Sequence, residues 1–348
     1  MSNKPTYRAI ATILFCVGIM MSCVTVPKID SSAVSVAEEG GITFTKISNE
    51  EDAVIGPGIQ NSNFFVGSVK YHTIRWYAAP FIGLSPDGDY VAYICKVNNA
   101  KNIYLKRTAG GSSIIQRTFK GGIMDMAYSP DSKMICFSDN SDGNQNVYTI
   151  NATEGAAIQQ ITSSGSAESG GIYSPDGKII YYTKEETSVG ATGVISYRYY
   201  VWGYNKETSL MTQYCEGFTP CPLPDGQRLL VTRGNKETGN GEIWMIDTKS
   251  GLETQIIGAR DKSFSSPDIS PDGKTILLVS NTRATNIRPM NLDLYTLSID
   301  GTKLTQLTFH PGADVSPKWS HDGKQIYFIS GRGNAKANFG LWKMNYRS

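Results

Sequence analysis

Histidine is scarce in this chain, with three in 348 residues (His72, His310 and His321), and cysteine numbers only six. Histidines so few and so far apart offer no multi-histidine metal site. The absence of any Cys-x-x-Cys removes the usual signature of zinc or dithiol redox chemistry. There is no Gly-x-Ser-x-Gly nucleophile elbow, no phosphate-binding loop and no dinucleotide fingerprint. No cofactor and no catalytic constellation are therefore expected. An excess of either charge is also missing: 33 basic and 31 acidic residues leave a net charge of +2 and no electrostatic case for nucleic acid. Helical periodicity is absent along the whole chain, which excludes arrays of paired helices.

Long apolar runs are missing apart from one near the start. Lys4 and Arg8 precede an apolar stretch from Ala9 to Met21. That stretch falls short of the ~18 residues a membrane helix needs and suits the core of a signal peptide. Met20-Met21-Ser22-Cys23 then resembles the bacterial lipobox, which implies cleavage after Ser22 and acylation of Cys23. Residues 1–22 are read as signal peptide and 23–40, small and polar, as a lipidated flexible tether. Losing Lys4 and Arg8 with the signal leaves 31 of the 33 basic residues against 31 acidic, a neutral mature chain.

What the chain has in plenty is glycine (35) and tyrosine (19), together with one recurring tetrapeptide. Ser85-Pro86-Asp87-Gly88 returns as Ser129-Pro130-Asp131-Ser132, Ser174-Pro175-Asp176-Gly177, Leu223-Pro224-Asp225-Gly226, Ser270-Pro271-Asp272-Gly273 and Ser320-His321-Asp322-Gly323, at intervals of 44 to 50 residues. Proline presets the second turn position, aspartate suits the third, and glycine takes the positive φ that closes a hairpin. The six aspartates are thus turn formers, not a carboxylate cluster. An apolar strand follows each turn, as in Ile276–Val279 and Ile326–Ile329, and then a strand with a central aromatic, as in Leu294-Tyr295-Thr296 and Leu341-Trp342-Lys343. A polar turn and a fourth strand complete each repeat, and a period near 45 residues points to a propeller or solenoid.

These repeats resemble those of the TolB-like six-bladed β-propellers (WD40-like, PD40 repeats). The last matches best, with Pro317-Lys318-Trp319-Ser320, Ile326 and Phe328, Ser330-Gly331-Arg332-Gly333 and Leu341-Trp342-Lys343-Met344. The expected fold is all-β: a six-bladed propeller over residues 41–348 with four antiparallel strands per blade. Its last repeat stops after a third strand. Lys46-Ile47-Ser48 parallels Gln306-Leu307-Thr308, so residues 41–48 are expected to close the ring on the C-terminal blade, and Asp52–Pro57 echo Ala313–Pro317. The resemblance implies a lipoprotein in the cell envelope of a Gram-negative bacterium, anchored to the outer membrane on its periplasmic or exposed side. It also implies a protein partner there, such as a peptidoglycan-associated or outer-membrane protein.

The turns within blades are short and uniform on one face. On the other they are long and varied, at 49–80, 184–198, 233–241 and 281–291. Irregular loops on a rigid scaffold carry most binding residues. Arginine and aromatic anchors on that face make Arg75, Trp76, Tyr77, Tyr197, Arg198, Arg283, Arg288, His310 and Arg332 the candidate binding residues. The tyrosine run after Tyr197 leaves a glycan ligand open, and an enzyme acting on polysaccharide or peptide at the channel mouth is the other alternative. Asp139–Asn144 has the look of a calcium loop but lacks its distal glutamate and is read as a hairpin. Cys95 and Cys136 lie in strand-like runs, as buried small hydrophobes do. Cys215 and Cys221 bracket a short loop: a disulfide is one reading, and a reduced pair, in a chain using no other cystine, the favoured one.

Overall fold

The computed structural model describes residues 36–39, 42–47, 60–66 and 69–75, and everything from 82 onward except 98–99, 110–113, 119–120, 154–156, 192, 194, 283–290, 333–338 and 347–348. All regular structure among them is β-strand. Blade 1 is Ile82–Leu84, Tyr90–Val97, Ala100–Arg107 and Ile114–Gln116. Blade 2 begins at Ile123–Tyr128, blade 3 at Glu168–Tyr173, blade 4 at Phe218–Pro222, blade 5 at Phe264–Ile269 and blade 6 at Asp314–Trp319. Blades 1 to 5 are four-stranded antiparallel meanders, and each first strand touches the first strand of the next blade. The contact of blade 6 with blade 1 closes the ring.

Each tetrapeptide joins the first strand of its blade to the second, and the five that open with serine do so through one device. The serine hydroxyl donates to the aspartate Oδ1, at 2.6 Å in Ser129–Asp131, Ser174–Asp176 and Ser270–Asp272. The serine Oγ in turn accepts the N–H that opens the second strand, from Met134, Ile179 and Thr275 at 2.9 Å. The turn glycines take φ of 68–80°, and Ser132, where blade 2 lacks glycine, is driven to φ 61°. Leu223 supplies no hydroxyl in blade 4, and there Asp225 accepts from the backbone of Gln227 and Arg228 and from the Arg228 guanidinium. At the far end of the meander, Thr118, Thr162 and Thr308 are buried, and their hydroxyls accept the N–H of Ile103, Val147 and Leu294 in the third strand.

Blades are stitched to their neighbours at a recurrent bulge in the first strand. Gly170, Thr219, Ser266 and Ser316 sit there at φ 51–67°, and a proline follows the last three, where a strand can forgo an N–H. The N–H groups turned out by the bulge are caught by the preceding blade: Gly170 N by Asp125 Oδ2 (2.9 Å), Thr219 N by Thr183 Oγ1 (3.2 Å). Two residues past the bulged Pro317, Trp319 N is caught likewise, by Asp268 Oδ2 (2.8 Å).

The ring closes as the repeat arithmetic requires. Ile42–Lys46 pairs with Gly340–Asn345 in the register Phe44↔Met344 and Lys46↔Trp342, and Ile47 N donates to Leu341 O at 2.7 Å. Phe44 is fully buried in the largest core cluster, which runs through blades 5, 6, 1 and 2 across the seam where the chain ends meet. Three details depart from the sequence reading. Val36–Glu39, placed in the tether, form a strand on Ile42–Lys46 and make blade 6 five-stranded. Within the long loop assigned to 49–80, Gln60–Val66 and Val69–Arg75 pair as a two-stranded hairpin. The long loop assigned to 184–198 is also a hairpin, because the middle strands of blade 3 run on through it. The echo at Asp52–Pro57 lies outside the described residues. Among the described residues, no helix is long and apolar enough to cross a membrane.

Candidate functional site

Short turns make the tetrapeptide face uniform. They also stack around it: a Cβ on Gly177, Gly273 or Gly323 would meet Pro130, Pro224 or Pro271 of the preceding blade at 3.5–3.7 Å. The opposite face carries the second-to-third connections and the crossovers between blades, and one feature of it is the blade 3 arm. Ile179–Val189 and Ile195–Asn205 pair over eleven positions, while the flanking strands of the blade stop at Glu168↔Lys184 and Tyr200↔Glu216. Five pairs, Glu185↔Tyr199 to Val189↔Ile195, therefore project beyond the blade as a two-stranded ribbon. Strand alternation puts Thr187, Val189 and Tyr197 on one side and Glu186, Ser188, Ser196 and Arg198 on the other. Val189 is 69% and Tyr197 44% exposed. The base is braced by the Tyr199–Phe218 ring contact and by Gly217 N on Tyr199 O at 2.8 Å. The arm carries an apolar, aromatic surface into solvent on a stiff support.

Of the candidate binding residues, Tyr197 and Arg198 are on this arm and exposed. Arg75 ends the strand Val69–Arg75, opposite Gln60. Trp76, Tyr77, Arg283, Arg288 and the lipidation candidate Cys23 lie outside the described residues. Arg332 proves to be internal and His310 partly buried. The Arg332 guanidinium, 2% exposed, donates to Asp314 Oδ2 (2.7 Å) and Ser330 Oγ (3.0 Å) and lies 3.8 Å from the Phe44 ring centroid, with Phe328 and Trp342 beyond. It is an architectural residue that ties the closing strand to the first strand of blade 6. His310 is partly buried beside it, and its Nδ1 accepts the Gly312 N–H at 2.9 Å. Burial, then the Arg332 charge, hold the His310 imidazole down at about 4, so it is neutral at pH 7.

Among the described residues, Cys95, Cys136, Cys215 and Cys221 are buried thiols outside any disulfide. Cys215 and Cys221 are both buried but sit in different core clusters, one between blades 3 and 4 and one between blades 4 and 5, so no disulfide joins them. Burial raises the Cys215 thiol to about 11. Among the described residues, no three His, Cys, Asp or Glu side chains converge as a metal site would require. Asp139 serves its hairpin by accepting the Ser141 N–H. Other buried charges are spent on joining blades, as in the Lys318–Asp268 pair at 2.8 Å between blades 6 and 5.

One pair of residues escaped the sequence reading. On the long-loop face of blade 1, Lys96 and Lys101 stand directly opposite each other in the ladder. Lys96 is exposed and Lys101 partly buried. The signal was present in Lys96-Val97-Asn98-Asn99-Ala100-Lys101, a hairpin whose two lysines fall in register only once its two-residue turn is placed.

This ring of short-turned blades with one elaborated face defines a six-bladed β-propeller. The TolB β-propeller domain family (PD40) matches residues 80–191 and 203–345, and the chain belongs to it. The Tol-Pal system protein TolB of Francisella tularensis subsp. mediasiatica (strain FSC147) is 26% identical over 244 residues, which are 68% of this chain and 53% of that protein. The chain thus spans about half the length of that relative. Among solved structures, a TolB described as putative from Agrobacterium tumefaciens has a TM-score of 0.54 at 19% identity, covering 80% of this chain and 93% of that one. An oligogalacturonate lyase from Vibrio parahaemolyticus has a TM-score of 0.59 at 12% identity, covering 90% and 96%. Both share the fold.

Proposed function

We propose that this chain is a non-catalytic protein-binding propeller of the bacterial cell envelope, held to the membrane through an acylated Cys23. The partner docks on the long-loop face, and the blade 3 arm is its principal contact. The observation that carries this reading is the arm itself, which runs five pairs beyond the flanking strands of the blade and presents Val189 and Tyr197 on its exposed surface. Rigid aromatic anchors of this kind are what interface hot spots are made of. Membership of the TolB propeller family and similarity to a Tol-Pal system protein support the envelope setting and a protein as the partner. The lipobox-like Met20–Cys23 supports the anchor.

The test places a photo-crosslinking amino acid at Tyr197 and, as control, at Thr208 in the short turn of the same blade, in the native host. A discrete adduct from Tyr197 and none from Thr208 is expected. Replacing Glu186–Arg198 by Asn-Gly should abolish partner capture while the thermal midpoint stays within a few degrees. Adducts from the short-turn face alone, or turnover of a glycan or peptide that one carboxylate variant abolishes, would overturn the reading. For the anchor, Cys23→Ala should leave unprocessed precursor or release the protein from membranes. Processed Cys23→Ala protein that stays in the membrane fraction would remove that part.

A further inference from the structure

Like charges directly opposite each other on a sheet destabilise it unless something neutralises them. Lys96 and Lys101 are such a pair, at the long-loop end of blade 1. Lys101 is partly buried, and its Nζ has the Met124 thioether at 3.8 Å as its hydrogen-bond partner. A thioether is a weak acceptor and offsets no charge. Burial, and then the charge of Lys96, hold the Lys101 ammonium below the ordinary lysine range. Gly122, which bridges to Lys101, packs against Asp139, and the Asp139 Oδ1 accepts the Ser141 N–H. Neither lysine forms an ion pair among the described residues.

The support beneath the pair is rigid. Lys101 N donates to Gly121 O at 2.9 Å, and Gly121, at φ +90°, packs so closely that a Cβ there would lie 2.9 Å from Ala100 Cβ. The two cations are therefore held together by the ladder and by the crossover into blade 2.

We propose that Lys96 and Lys101 form a docking point for carboxylate, presented by an acidic segment of the protein partner. The proposal rests on the protein-binding reading above and adds the chemistry of the partner. Two ammonium groups on adjacent strands match one or two carboxylates on an extended chain. Carboxylate is the anion chosen because the partner is a protein, and the side chains that carry negative charge on a protein at neutral pH are those of Asp and Glu.

Fluorescence anisotropy with labelled hexaglutamate at low ionic strength tests the pair on the detergent-solubilised full-length protein. Lys96→Met/Lys101→Met should weaken binding at least tenfold and flatten its salt dependence. Lys249→Met/Lys274→Met, on the short-turn face, should change it less than twofold. In the wild-type protein, hexaglutamate should protect Lys101 from reductive methylation, read by mass spectrometry, while leaving Lys274 reactive. Equal affinity of the Lys96/Lys101 variant and wild type, or no protection of Lys101, overturns the docking point. Displacement of the peptide by equimolar inorganic phosphate overturns the choice of carboxylate. The two readings fail separately: a Tyr197 adduct that survives Lys96→Met/Lys101→Met keeps the protein-binding function and removes only this point.

Discussion

Arg332 shows how far a side chain's role depends on partners distant in sequence. Next to glycines in a second-to-third connection it reads as a binding-face arginine. Its partners are Asp314, 18 residues back, and Phe44, at the other end of the chain, and neither pairing is visible until the ring is closed. Arg332→Met should strand the Asp314 carboxylate, fully buried, and cost about 3–5 kcal/mol. Urea unfolding reads this directly, and adding Asp314→Leu should recover part of the loss; a cost below about 1 kcal/mol, the range of exposed pairs, would refute the architectural role. His310 gives a second prediction, in pH. Its folded value is lowered from 6.5 to about 4, so the folded state favours the neutral ring. Its contribution is complete above 6.5 and is lost as pH falls toward 4. The urea midpoint of wild type should fall between pH 7 and 4.5, and His310→Asn should flatten that slope. The turn aspartates add to the fall lower down, because the hydroxyls of Ser129, Ser174, Ser270 and Ser320 hold Asp131, Asp176, Asp272 and Asp322 below their ordinary value.

Among the elements, those with a turn chemistry of their own were legible, and those defined by their partners were not. Ser-Pro-Asp-Gly announces a hairpin, and the structure builds one at each occurrence, with Ser132 and Leu223 accommodated by backbone strain and by substitute donors. Glu185–Val189 and Ile195–Tyr199 looked like loop because a propeller blade needs no strand there. The alternation of Thr187, Val189, Ile195, Tyr197 and Tyr199 around two glycines was nevertheless a strand signal. The closing strand was legible from the missing fourth strand of blade 6, whereas Val36–Glu39 has no counterpart in any repeat. The two strands should differ sharply in worth. Among the described strands, removing residues 1–40 deletes only Val36–Glu39 and leaves the seam intact. Removing residues 1–47 also lifts Phe44 out of the core, a loss of about 3–5 kcal/mol for a buried phenylalanine alone. Thermal unfolding should place the first truncation within a few degrees of the full chain and the second far below it or aggregated. Equal midpoints would refute closure at this strand.

On the scale of the whole molecule, six spaced turns specified the architecture, because one supersecondary unit repeated at a constant period allows few solids. The function was less legible. The long-loop face is the part of a propeller that its repeat does not constrain, so Lys96, Lys101 and the arm carry no periodic signal. The seam has a further consequence, a mechanical one. A pull from the N-terminal side enters the described fold at Val36, in the edge strand of blade 6. Load applied there opens the pairs Val36↔Thr45 to Glu39↔Ile42 one after another, like a zip, before it reaches the pairs that hold Phe44 against Met344. The outer strand would act as a fuse that spends extension to spare the ring. Optical-tweezer traces with one handle at position 23 and the other on the blade 3 arm should show a short, low-force lengthening that reverses on relaxation, well before the single large rip of the propeller. Removing residues 36–39 should erase the first event and leave the second.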